Sequence, residues 1–95
     1  MDTPALAQLV GAYFHQDWML DHDDEWAVIN DFIKGERALA PQLPDEVASV
    51  LIVYSSDPEV QAYLLHLGSC YTTRDPAGYR GWLTEVARRV REATT

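Results

Sequence analysis

The chain has 95 residues, 47% of them hydrophobic, and 15 Asp and Glu against 7 Lys and Arg give it a formal net charge of −8. That length suits one domain, residues 1–95, with a core that needs no staples, and the apolar content excludes an intrinsically disordered segment. The acidic balance argues against partners whose own surface is anionic, so neither nucleic acid nor an acidic membrane is expected to bind.

Helical spacing dominates the pattern. Thr3 can cap a first helix that opens at Pro4 and carries Leu6, Leu9, Val10, Tyr13 and Phe14 on one face. From His15 to Asp24 the period breaks, which predicts a connection anchored by Trp18, Met19 and Leu20. A second helix is expected from Asp23 or Asp24, whose carboxylates can cap it, with Trp26, Ile29, Phe32 and Ile33 facing inward and Gly35 ending it. Pro41 and Pro44 bracket a linker, and Pro44-Asp45-Glu46 suits the first turn of a third helix through Val47, Val50, Leu51 and Tyr54. The run Val50 to Tyr54 is also compatible with a buried strand, although helix is the favoured reading. Asp57-Pro58 and Asp75-Pro76 each read as an N-cap Asp before a first-turn Pro, opening a fourth helix that ends at Gly68 and a fifth carrying Tyr79, Trp82, Leu83, Val86 and Val90. The expected fold is all-α, a small bundle of four to five helices.

Between the last two helices, Ser69 to Arg74 reads as a polar loop with one exposed aromatic, Tyr71. Its Cys70 is the only cysteine, so no intramolecular disulfide can form, and with no base beside it a free, partly buried thiol is expected. The N-terminus lacks a basic stretch followed by an apolar run, and no apolar run of about eighteen residues occurs, so the chain reads as a cytoplasmic protein without signal peptide or membrane span.

Charge is distributed unevenly. Met1 to Ile33 holds seven acidic residues and no Lys or Arg, whereas Arg74, Arg80, Arg88, Arg89 and Arg91 lie towards the C-terminus. The acid-rich segment mixes His15, Asp17, Asp21, His22, Asp23, Asp24 and Glu25, side chains that divalent metals use. It does not have the spacing of an EF-hand, because counting from Asp21 the required Gly is Trp26 and the closing Glu is Phe32. The two histidines fit no HExxH helix, and no GxSxG, P-loop or GxGxxG motif occurs. Neither a metal nor another cofactor is therefore expected. A small metal-dependent hydrolase using His15, Asp17 and His22 is the weakest reading, and an acidic adaptor or regulatory module is the alternative.

The stronger reading is a protein-binding surface. Asp17, Asp21, Asp23, Asp24 and Glu25 would attract a basic partner, and Trp18, together with Tyr71 in the later loop, would supply aromatic contact. Trp26 reads as core, and Trp18 reads either as an anchor of the connection or as a partner contact.

The segment Tyr13-Phe14-His15-Gln16-Asp17-Trp18, YFHQDW, followed by an acidic stretch, resembles bacterial contact-dependent growth inhibition (CdiI-type) immunity proteins. The likeness extends from Leu9-Val10-Gly11-Ala12 through Trp26 to Ile33 and on to Asp75-Pro76 and Trp82-Leu83. It implies a small, largely helical cytosolic protein that binds the toxic C-terminal domain of its own cell's toxin, a ribonuclease in some relatives, and that has no catalytic residues. The partner so implied is a cognate toxin domain with a basic surface, and the protein itself is expected to be a monomer.

Overall fold

Pro4 opens α1 (Pro4–Gln8) as expected, its fixed φ suiting a first turn. In the computed structural model, which describes residues 1–95, the coil then widens into a π-helical turn over Leu9–Tyr13, where Phe14 N–H donates to the Leu9 carbonyl at 3.0 Å. A one-turn helix α2 (Trp18–Asp21) follows inside the segment expected to be a connection. The remaining helices are α3 (Glu25–Gly35), α4 (Leu43–Val53), entered through a 3-10 turn at Ala40–Gln42, α5 (Asp57–His66) and α6 (Gly78–Thr94). The structure contains no strand, so the all-α expectation holds, and Val50 to Val53 is helical.

Helix α6 is the centre of the bundle, with α3, α4 and α5 packed on it. It presents Tyr79, Trp82, Leu83, Val86 and Val90, all buried, and these join a core of 22 residues that takes in Phe14, Phe32 and Leu64. The predicted stop at Gly68 holds. Gly68 adopts φ 98°, its N–H reaches the Leu65 carbonyl at 3.0 Å, and Ser69 N–H reaches that of Leu64 at 3.1 Å, the paired bonds of a Schellman motif.

The helix starts are where the structure departs most from the sequence pattern. Thr3 occupies the cap position of α1, but its hydroxyl lies 2.6 Å from that of Tyr63 and caps nothing. The first amides of α1 are instead held by Glu46 of α4, whose carboxylate accepts Ala5 N–H at 3.1 Å and Leu6 N–H at 2.9 Å. Asp57 does not cap α5 either. Ser56 does: its Oγ accepts Glu59 N–H at 3.4 Å and donates to the Glu59 carboxylate at 2.8 Å. Asp75-Pro76 opens a turn and not a helix. Asp75 Oδ1 accepts Ala77 N–H at 2.8 Å and its carbonyl accepts Gly78 N–H at 2.9 Å, so α6 begins only after that turn closes.

Asp57, released from α5, serves α6. Its Oδ1 accepts Arg80 N–H at 3.0 Å, and a Cβ at residue 78, where φ is 72°, would lie 2.6 Å from its Oδ2, so only Gly admits the carboxylate. The Arg80 guanidinium in turn donates to the carbonyls of Tyr54 and, at 3.0 Å, Leu51, closing the C-terminus of α4. Asp57→Ala is therefore expected to lower stability by about 0.5–2 kcal/mol, as loss of a helix cap does, with the damage in α6. Amide exchange should quicken at Arg80 and stay unchanged at Glu59; the reverse pattern would return Asp57 to α5.

Candidate partner-binding site

The YFHQDW segment builds the base of the site. The wide π turn delivers Phe14 into an aromatic cluster, with ring centroids 5.4 Å from Trp18, 4.9 Å from Tyr71 and 5.5 Å from Trp82. Tyr71 and Trp82 stack at 4.4 Å. The Phe14 carbonyl accepts Cys70 N–H at 3.0 Å, which ties the loop after α5 to the same point. Tyr71 is thus not the exposed aromatic that its polar neighbours suggested. It is only 6% exposed, because the loop turns its ring inward while Thr72 and Arg74 point out. Burial pushes its phenol above the ordinary pKa. Trp18 is likewise buried, and so acts as the anchor of its segment. The thiol of Cys70, expected to be partly buried, is exposed, since its backbone and not its side chain makes the inward bond.

Residues 15–25 hang from that anchor. Trp18 N–H donates to the His15 carbonyl at 3.1 Å and Leu20 N–H to that of Asp17 at 3.0 Å, forming the single turn α2. With Trp18 inward, the following residues rotate outward by about 100° each. Met19 is 67% and Leu20 84% exposed, so the anchoring role expected of these two is corrected. His22 closes the turn: its Nε2 lies 2.5 Å from Asp31 Oδ2 on α3 and its Nδ1 3.3 Å from the Trp18 carbonyl oxygen. The bond to Asp31 raises the imidazole above its ordinary pKa. Asp24 caps α3 as expected, accepting Ala27 N–H at 2.9 Å.

Together these elements enclose an open groove of about 510 Å³ between the acidic segment and the loop after α5. Five of the residues read from the sequence as partner contacts, Trp18, Asp23, Asp24, Glu25 and Tyr71, line it, along with Met19, His22, Cys70 and Arg74. Asp17 and Asp21 lie outside it. Asp17 is exposed, and Asp21 approaches His15 Nε2 at 3.6 Å. His15 and His22 therefore face different carboxylates, and no three His, Cys, Asp or Glu side chains converge as metal ligands would.

The surrounding charge is lopsided. Arg88 pairs with Glu85 at 2.5 Å and Glu92 at 2.7 Å, and with Arg89 it holds the Glu85 carboxyl down at about 2. Arg89 lies 4.0 Å over the ring of Trp26, which packs at the edge of the core. Arg80 is spent on α4. The groove keeps Arg74 as its lone permanent cation, while Asp23 and Glu25 make no ion pair within the chain. Buried aromatics and carboxylates without an ion-pair partner thus share one groove. Of the groove's other members, Cys70 and Arg74 carry no periodic signal, and Met19 could have been recognised only from the outward rotation that follows a buried Trp18.

No helix is long and apolar enough to cross a membrane. Searches of curated proteins and of solved structures find no match. A family model described as CdiI immunity protein matches residues 2–90, from the start of α1 almost to the end of α6, and with nearly the whole chain covered, it belongs to the CdiI immunity protein family.

Proposed function

We propose that the protein neutralises, in the cytoplasm, the toxic C-terminal domain of its own cell's contact-dependent toxin, by binding a basic face of that domain and without catalysing a reaction. The observation that supports this most is the groove: Asp23, Asp24 and Glu25 line it together, with Arg74 as its single arginine. A domain that grips RNA must present a cationic cleft, so a ribonuclease is the toxin chemistry that this surface fits, and the carboxylates then take the place of phosphates. The outlying Asp17 and Asp21 enlarge the negative field and speed encounter.

The test uses the toxic C-terminal domain of the same cell's contact-dependent toxin, purified as an inactive variant. Joint neutralisation by Asp21→Asn, Asp23→Asn and Asp24→Asn is expected to slow association about tenfold or more at low salt and much less at high salt. Asn still caps α3 at position 24, and the exposed Asp21–His15 contact is worth little, so the thermal midpoint should hold. Equal rates at both salt concentrations would remove the acidic segment from the interface.

A further inference from the structure

Helix α2 has an unusual division of labour for four residues. Trp18 is locked among Phe14 and Tyr71, with centroids at 5.4 and 5.7 Å, and His22 bolts the other end to α3 through Asp31. Two residues on from Trp18 is a rotation of about 200°, so Leu20 points directly away from the core and cannot fold back without unseating the tryptophan. It is 84% exposed, the most exposed of the large apolar side chains, with Met19 beside it at 67%. Ile52, Val53 and Leu65 are also exposed, but they sit on α4 and α5 without this acidic setting. The sequence around Leu20 places Asp17 before it and Asp21 and Asp23 after it, and Met19 lines the acidic groove itself.

We infer that α2 is a rigid peg whose Met19 and Leu20 enter an apolar pocket, ringed by Lys or Arg, on the toxin domain. This rests on the function proposed above and adds the residues that hold the complex together once charge has brought it about. The peg is held in shape before binding, so little side-chain freedom is lost on contact beyond that of the two tips. An apolar centre inside a charged rim is also the layout in which a few side chains carry most of an interface's affinity.

Leu20→Asn should weaken binding to the inactive toxin domain about 30-fold or more, the size of a hot-spot truncation. The loss should lie in the dissociation rate and be insensitive to salt, whereas Leu20→Met should stay within a few-fold of the wild type. Neither change touches the core, and unchanged circular dichroism and melting temperature confirm it. If the wild type binds and Leu20→Asn binds equally well, the peg is refuted while the acidic interface stands. If the wild type does not bind, the proposed function fails and the peg with it. If the wild type instead self-associates in sedimentation and Leu20→Asn abolishes this, a second copy of the chain is the occupant and the toxin pocket is refuted.

Discussion

Phe14→Ala is expected to lower stability by about 3–5 kcal/mol, the usual cost of removing a buried aromatic, and to disable partner binding at temperatures where the fold survives. Phe14 has no exposed surface, and its ring touches Trp18, Tyr71 and Trp82 at once. The cavity would open where four elements meet: the turn after α1, α2 with Trp18, the loop that carries Tyr71, and α6. Neither Trp18 nor Tyr71 could then hold the segment it anchors. Phe14→Leu refills most of the volume without the edge-to-face contacts and should fall between the two. Chemical denaturation measures the first effect, and titration with the toxin domain below the melting transition measures the second. A Phe14→Ala protein of wild-type affinity would mean that α2 and the loop keep their positions without the aromatic cluster.

How much of this was legible depends on whether the cause was local. The inward faces of α3 and α6 could be read directly, because Ile29 and Phe32, or Trp82, Leu83, Val86 and Val90, recur at a spacing set by the helix itself. The carboxylates of the groove could be found by composition alone, since Asp23, Asp24 and Glu25 are neighbours in the chain. Their meeting with Tyr71 and Arg74 could not, because it depends on the bond between Phe14 and Cys70 across the bundle. The burial of Tyr71 is hidden from the sequence for a related reason: polar neighbours in a loop suggest exposure, yet a ring can turn inward while they remain in water. The YFHQDW segment carried the resemblance, and its Phe14 and Trp18 are core side chains, so it marks the scaffold that displays the acidic turn more than the contact surface. Ser56-Asp57-Pro58-Glu59 contains a usable signal that Asp57-Pro58 obscures, since a Ser followed three residues on by Glu already marks a helix start, and Ser56 is the cap.

Glu46→Ala should cost about 2–4 kcal/mol, more than an ordinary cap substitution, although Glu46 lies in the middle of the chain and far in sequence from the helix it caps. Its two oxygens take the amides of Ala5 and Leu6 at 3.1 and 2.9 Å, and hydrogen bonds to a charged group contribute roughly 1.5–3 kcal/mol each when the donors are otherwise unmet. A negative charge at the start of α1 adds to this through the helix dipole. The side chain is only half-buried, which lets water recover part of the loss and keeps the estimate below the sum of two buried bonds. Glu46→Gln separates charge from geometry. Its carbonyl oxygen can still accept one amide, but its NH2 group meets the other as a second donor, so a loss well above half that of the alanine variant is expected. The same carboxylate joins α1 to α4, and α1 leads into the π turn that places Phe14. Loss of Glu46 should therefore loosen the aromatic floor of the groove from a distance. Fluorescence of the buried tryptophans, Trp18 and Trp82, is the sensitive readout, and a red shift before global unfolding is the expected sign. Melting curves of Glu46→Ala and Glu46→Gln that match the wild type would show that Ala5 and Leu6 are served equally well by water.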